Sequence, residues 1–117
     1  MAEDKHVTLT ETNGVRVARF SDRKILEELT INEIERELDE IVGGADRIKL
    51  LLSFATVEHL SSAALGMLIR LNQKITDRNG RLVLAEISPD IFEVFKITRL
   101  DRLFEICPTT EEALRKF

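Results

Sequence analysis

The chain has 117 residues, of which 44% are hydrophobic and 32% are charged, a size and balance that predict one folded domain rather than two domains or a disordered chain. Its net charge of −4 gives no general attraction to nucleic acid or to anionic lipid. Because it has no apolar run of the ~18 residues that would cross a bilayer, no signal-peptide core and a single cysteine, we expect a cytoplasmic protein without disulfides or membrane insertion.

The first two predicted elements are strands that form a hairpin. Residues 6–9 and 15–20 alternate between apolar and polar side chains, as strands with one buried face do. Between them, Asn13-Gly14 is a strong signal for a tight turn. The first strand is expected at an edge of the sheet.

A polar connection over residues 21–29 leads to the first predicted helix. Thr30 and Glu33 have the spacing of a capping box, so we expect Thr30 to be the N-cap of this helix. Gly43-Gly44 is expected to end it. The apolar residues between these signals recur at helical spacing: Ile31, Ile34, Leu38, Ile41 and Val42.

The rest of the chain alternates between strands and helices. Residues 48–52 predict a buried central strand, and a second helix is expected from Ser61 or Ser62 to about Arg78. The elements that follow are a strand over residues 81–85, a helix capped by Ser88 with Pro89 at its first position, a short strand over residues 104–107 and a last helix over residues 111–117 after the capping box Thr109-Thr110-Glu111-Glu112. This order predicts an α/β fold of one domain, residues 1–117, with a mixed sheet of four to five strands and about four helices.

The side chains that carry chemistry form no catalytic or metal-binding pattern. His6 is expected in a flexible N-terminal segment and His59 in a solvent-facing loop, without the spacing of a zinc site. Cys107 lies in an apolar run and is expected in the core. A nucleophilic pair of Ser61 with His59 lacks a recognisable orienting acid and oxyanion hole. We therefore expect no enzyme activity, no metal and no cofactor.

The adjacent serines Ser61 and Ser62 are the most informative residues. They lie where a loop gives way to a helix, and the first N–H groups of a helix lack internal partners and carry partial positive charge. A serine there ordinarily acts only as a cap, but a phosphate on it would lie in a favourable field.

Small and apolar residues surround the two serines. Ala63, Ala64 and Gly66 would let the backbone of a partner approach closely. Four neighbours would add apolar contact if they were exposed, or else would pack in the core: Phe54, Val57, Leu60 and Met67.

From residue 7 to residue 117 the sequence resembles the STAS domain family, and specifically its bacterial anti-sigma factor antagonists. The order of elements carries the resemblance, together with Leu50-Leu51-Leu52-Ser53 and Leu60-Ser61-Ser62-Ala63-Ala64-Leu65-Gly66, and with three further segments: Gly80-Arg81-Leu82-Val83-Leu84, Ile97-Thr98-Arg99-Leu100-Asp101 and Glu111-Glu112-Ala113-Leu114. The signature of the family reads Asp-Ser-Ser-Gly or Asp-Ser-Thr-Gly. Here Leu60 replaces the aspartate and Ala63 replaces the glycine.

The resemblance implies a small mixed sheet backed by helices and a role in transcription regulation. In the family, an unmodified antagonist binds an anti-sigma factor, which is often a serine kinase. That kinase phosphorylates the first serine of the signature and breaks the complex, and a PP2C-type phosphatase restores the antagonist. By position the phosphorylated residue is Ser61, with Ser62 as the second choice. The residues predicted to contact the partner are Phe54, Val57, Glu58, His59, Leu60, Ser61, Ser62, Ala63, Gly66 and Glu27, with Glu28 as the alternative to Glu27.

Two other functions stay open at this point. Leu60 and Ala63 make the signature more apolar, which fits a STAS adaptor subunit of an ABC lipid-transport system or signalling assembly that is not phosphorylated. A small hydrolase using Ser61 is the third reading.

Overall fold

The computed structural model describes residues 5–43 and 45–117. In chain order its elements are β1 (Val7–Thr12), β2 (Val15–Phe20), β3 (Lys24–Ile25), α1 (Glu28–Val42), β4 (Lys49–Ser53), β5 (His59–Leu60), α2 (Ser62–Asp77), β6 (Arg81–Ala85), α3 (Pro89–Ile97), a 3-10 turn (Leu100–Arg102), β7 (Glu105–Cys107) and α4 (Thr110–Leu114). Five strands form one sheet in the order β1-β2-β4-β6-β7. The β1–β2 pair is antiparallel and the other three pairs are parallel, which confirms the predicted α/β class and mixed sheet.

The hairpin between β1 and β2 turns at Asn13-Gly14, as predicted. Asn13 has φ 53° and Gly14 has φ 82°, and positive φ at both central residues matches the turn that favours Asn-Gly. Strand β1 runs further than the predicted residues 6–9 and lies at an edge of the sheet.

Apolar side chains cover both faces of the central strand β4. Leu50 and Leu52 belong to the larger core, which also holds buried residues of α1, α2 and α3. Leu51 belongs to a smaller core on the opposite face, which includes Ala113 of α4. A strand that is buried on both faces reads as a continuous apolar run, which is why residues 48–52 predicted it.

The predicted capping box at the start of α1 is wrong. The helix begins at Glu28, its N-cap is Glu27, and no side chain caps it. Thr30 lies inside the first turn, and the Glu33 carboxylate is 2.8 Å from Nε2 of His6, so Glu33 is engaged elsewhere. His6 was expected in a flexible segment, but its side-chain contacts hold it in place. At the other end, Gly43 follows the last helical residue as predicted, and Gly44 lies outside the described residues.

The other helix starts follow their sequence signals. The Ser88 hydroxyl accepts a hydrogen bond from the Ile91 N–H at 3.3 Å, and Thr109 accepts one from the Glu112 N–H at 3.1 Å. Cys107 is buried in the smaller core, as expected, and burial raises the pKa of its thiol. Over the described ranges no helix has the length and apolarity that crossing a bilayer demands.

Two short strands were not predicted. Strands β3 and β5, each of two residues, pair in parallel as a separate small sheet, with Lys24 opposite His59 and Ile25 opposite Leu60. From the sequence, these residues were expected in a polar connection and a loop. This two-stranded sheet, called the β3–β5 ladder below, holds the chain immediately before Ser61.

Candidate functional site

Ser61 is the N-cap of α2 and remains accessible at the surface. Its Oγ accepts a hydrogen bond from the Ala64 N–H at 3.2 Å, and its carbonyl oxygen accepts one from the Leu65 N–H at 3.1 Å. The Ser61 residue is half-buried, and Ser62, the first residue of α2, is exposed. The predicted start of this helix is confirmed, and its serine pair lies within reach of another macromolecule.

The β3–β5 ladder fixes the approach to Ser61. The Arg23 carbonyl accepts hydrogen bonds from the N–H groups of Glu58 and His59, at 2.7 and 3.1 Å, and the Ile25 carbonyl accepts one from the Ser61 N–H at 3.1 Å. The Arg23 guanidinium also pairs with the Glu58 carboxylate at 3.1 Å. The predicted loop is thus a strand whose position depends on residues that are distant in sequence.

Most of the predicted partner residues are accessible. We use the name Ser61 surface for these accessible residues together with Leu26, which was not predicted; its members are Leu26, Glu27, Glu58, His59, Leu60, Ser61, Ser62, Ala63 and Gly66. Leu60, Ser61 and Gly66 are half-buried and the others are exposed. A Cβ added at Gly66 would meet only Nη1 of Arg70, at 3.7 Å, so the backbone of α2 is open to close approach there.

The prediction that Phe54 and Val57 contact a partner is wrong. Only 1% of Phe54 and 2% of Val57 is exposed. The Phe54 ring packs edge-on against Phe20 with centroids 5.0 Å apart, and the Val57 N–H donates to the Phe54 carbonyl at 2.9 Å. These side chains bury the loop after β4 in the larger core, to which the buried Met67 of α2 also belongs.

An open cleft adjoins the Ser61 surface. It has a volume of about 240 Å³ and lies between the β3–β5 ladder and α3; its lining residues are Leu26, Glu58, His59, Leu60, Leu65, Asp90, Ile91 and Val94. We call it the α3 cleft. Leu26 is 46% exposed and Val94 is 39% exposed, so apolar side chains line its mouth.

The contribution of α3 to this site was not predicted from the sequence. In the sequence, Ile91, Val94 and Phe95 recur at helical spacing and predict one apolar stripe. In the structure Ile91 and Phe95 are buried while Val94 is not. An apolar residue at the edge of a helical stripe was the available signal, but periodicity alone does not separate such a residue from the core.

The arrangement supplies a contact surface and no nucleophile–base pair. In the part of the chain that the structure describes, no hydrogen bond joins the His59 ring to the Ser61 hydroxyl, which caps α2 instead. Across residues 5–43 and 45–117, no three side chains of His, Cys, Asp or Glu are grouped as metal ligands. Chemically, the site offers hydroxyls at a helix N-terminus beside an apolar cleft with acidic residues at its edge.

Comparison with known proteins gives one family and one fold. The family model of the STAS domain matches residues 6–113. A Bordetella bronchiseptica protein, BtrV, whose name places it among anti-sigma factor antagonists, is 24% identical over 111 residues, covering 95% of this chain and 93% of its own.

Solved structures agree with this match. An anti-sigma factor antagonist (STAS) domain protein from Planctomyces limnophilus superposes with a TM-score of 0.86 at 24% identity, covering 97% of this chain and 98% of the other. The Bacillus cell fate determinant SpoIIAA, solved in its phosphorylated form, gives a TM-score of 0.68 at 20% identity, with coverages of 94% and 97%. At these identities the structural matches establish the fold.

Proposed function

Because this chain belongs to the STAS domain family, we propose that it is an anti-sigma factor antagonist, a cytoplasmic regulatory protein that binds an anti-sigma factor through the Ser61 surface. One observation carries the proposal: a half-exposed serine caps α2 at the position of the family signature. The names of related proteins, BtrV among them, point to the same role. Binding the anti-sigma factor would free its sigma factor for transcription.

The contacts follow from the two parts of the site. Leu26 and Val94 at the mouth of the α3 cleft supply apolar area that a partner can desolvate. Ala63 and Gly66 on the outer side of α2 let a partner backbone come close. The partner residues proposed from the sequence that the structure leaves accessible are Glu27, Glu58, His59, Leu60, Ser61, Ser62, Ala63 and Gly66.

Phosphorylation of Ser61 would control this binding. The anti-sigma factor, acting as a serine kinase, adds the phosphate, and a PP2C-type phosphatase removes it; Ser62 is the second choice. The phosphate brings roughly −1.5 to −2 charges. In the free protein the N–H groups at the start of α2 stabilise it. In the complex the same charge has to be desolvated, so phosphate weakens the complex more than the fold.

The phosphorylated form of SpoIIAA supports this proposal, because it shows that a chain of this fold can be phosphorylated. Asp is also a good N-cap, so Ser61→Asp is expected to fold and to imitate the charge. Thr109→Asp is the matched control, since Thr109 caps α4, which packs on the opposite face of the sheet.

The test combines binding with phosphate mapping. The protein is mixed with the candidate anti-sigma factors of its own genome, and affinity is measured for wild type, Ser61→Asp and Thr109→Asp. We expect Ser61→Asp to bind about ten-fold or more weakly and Thr109→Asp to bind like wild type. Incubation with the bound kinase and ATP, followed by mass spectrometry, should place phosphate on Ser61. Equal affinities of wild type and Ser61→Asp for the anti-sigma factor would contradict the proposed control of binding by charge.

A second function is favoured by the apolar residues at the signature. Leu60 and Ala63 replace the aspartate and glycine of the family, which suits an adaptor that stays bound to an ABC lipid-transport ATPase or a signalling assembly. Co-purification with such an ATPase, with Ser61 unmodified throughout, would establish this alternative instead of the switch.

A further inference from the structure

The His6 side chain bridges two elements on the side of the molecule where β1 begins. Its Nδ1 is 2.8 Å from Oδ1 of Asp22, which follows β2, and its Nε2 is 2.8 Å from Oε1 of Glu33 in α1. The side chain is 17% exposed. Glu37, one turn further along α1, accepts hydrogen bonds from the backbone N–H groups of His6 and Val7, at 3.1 and 3.0 Å. Carboxylates from both neighbouring elements therefore face the start of β1.

This geometry requires a proton on each ring nitrogen. A neutral imidazole carries one N–H and one lone pair, so at 2.8 Å one of the two carboxylates would face a lone pair. Only the imidazolium donates to both. Burial of the ring opposes the charge, but the hydrogen bonds to Asp22 and Glu33 outweigh it, aided by the charges of Asp22 and Glu37, and the pKa of His6 is raised above 6.5.

The bridge is connected to Ser61 through the backbone. Asp22 immediately precedes Arg23, whose carbonyl accepts the N–H groups of Glu58 and His59. Two residues later, the Ile25 carbonyl accepts the Ser61 N–H. Residue 22 therefore lies directly before the ladder, and the bond between His6 and Asp22 is one of the contacts that position it, beside the Arg23–Glu58 ion pair and the buried Ile25. Loss of the bond between His6 and Asp22 removes one of these restraints on the segment that aligns the Ser61 loop.

We propose that His6 is a pH-sensitive clamp: as the imidazolium it ties Asp22 to Glu33 of α1 and keeps the β3–β5 ladder closed, and when it loses its proton the ladder loosens. Histidine is the side chain whose charge changes near neutral pH. The clamp lies outside the Ser61 surface and acts in the free protein. Its test therefore needs no partner and is independent of the proposed function.

The first experiment follows the two histidines by NMR between pH 5 and 9. The chain has only His6 and His59, so His59→Gln assigns both ring signals. We expect the His6 pKa to fall in Asp22→Asn and in Glu33→Gln, because each variant removes one charged acceptor. It should stay unchanged in His59→Gln. A His6 titration that is the same in wild type, Asp22→Asn and Glu33→Gln would overturn the clamp.

The second experiment measures hydrogen exchange at the amides of Glu58, His59 and Ser61, corrected for the intrinsic pH dependence. Their protection should drop about ten-fold, the scale of one charge-assisted hydrogen bond, as pH rises through the His6 titration. The amide of Leu51 in β4 serves as the reference and should keep its protection. In Asp22→Asn the drop should occur at lower pH. Protection that is constant through the titration would overturn the proposal, and because Asp22→Asn and wild type carry this test, it does not depend on whether a His6 variant folds.

Discussion

The Ser61 hydroxyl stabilises the fold as well as offering a modification site, and substitution separates these roles. Ser61→Ala removes the acceptor for the Ala64 N–H and should lower the free energy of unfolding by about 1 kcal/mol. Ser62→Ala, one residue later at an exposed position, should change it by less than about 0.5 kcal/mol. Urea denaturation measures both. Equal stabilities for the two variants would mean that Ser61 does not cap α2.

His6 also predicts how stability depends on pH. Because its pKa is raised in the folded state, its contribution to stability is fully present below the ordinary value of 6.5 and is lost as pH rises through the raised pKa. Denaturation at a series of pH values should show the free energy of unfolding falling on the alkaline side. His59→Gln should keep this slope, and Glu33→Gln should reduce it. An unchanged slope in Glu33→Gln would contradict the contact between Glu33 and His6.

Glu35 is expected to act in the opposite pH range. The hydrogen bonds from Arg70, at 2.9 Å each, hold its pKa below the usual 4.5. Its contribution is therefore present above pH 4.5 and is lost as pH falls through the lowered pKa. Arg70 is largely exposed, so the pair contributes at most about 1 kcal/mol.

At the scale of elements, the glycine inside α2 and the glycine that follows α2 should respond oppositely to alanine. Gly66 lies inside the helix, and a Cβ there would meet only Nη1 of Arg70, at 3.7 Å, so Gly66→Ala should stabilise the protein by up to about 1 kcal/mol. Gly80 precedes β6, and a Cβ there would come within 2.8 Å of the Ile48 carbonyl oxygen and of Cγ2 of Ile75. Gly80→Ala should therefore destabilise the protein.

Thermal denaturation compares the two glycine variants directly. The same preparations report on function, because a Cβ at Gly66 would obstruct a partner backbone that packs closely on α2. Weaker binding by a more stable Gly66→Ala protein would separate recognition from folding, whereas a drop in its melting temperature would contradict the room for a Cβ at Gly66.

The elements with strong local signals were predictable. Asn13-Gly14 specifies its turn by backbone conformation, Ser88-Pro89 specifies a helix start, and the apolar run of β4 specifies burial on both faces. Strands β3 and β5 were not predictable, because two residues are too few to show alternation and their pairing joins positions 24–25 with 59–60. Contacts of this kind arise from the tertiary fold.

The candidate site was predictable only where it depends on local sequence and not on tertiary contacts. The capping position of Ser61 follows from local sequence, but the burial of Phe54 and Val57 depends on Phe20 and the rest of the core. The participation of Leu26 and Val94 likewise depends on α3 lying beside the β3–β5 ladder. The contact between His6 and Glu33 spans 27 residues and leaves no local pattern.

At the scale of the whole molecule, only one apolar region is expected to bind the partner. Leu26 at the α3 cleft is 46% exposed and Leu9 on the edge strand β1 is 45% exposed. Because their exposure is nearly equal, the same substitution at the two positions can be compared directly. Leu26→Ser should weaken binding of the anti-sigma factor by about ten-fold, and Leu9→Ser should leave it unchanged. Titration calorimetry gives both affinities. A larger loss in Leu9→Ser would place the interface on the sheet edge.

Helices α1 and α2 run side by side in the same direction, because Glu35 pairs with Arg70 and Asp39 with Lys74 at the same sequence offset of 35. Their amino-terminal ends therefore lie together, and the positive poles of two peptide dipoles converge beside Ser61. The Glu28 carboxylate already occupies the first turn of α1, whereas α2 has no acidic residue in its own. A new anion on Ser61 would therefore be attracted by the positive ends of both helices and repelled by the Glu28 carboxylate. Neutralising Glu28 would remove this repulsion and make the anion easier to accommodate.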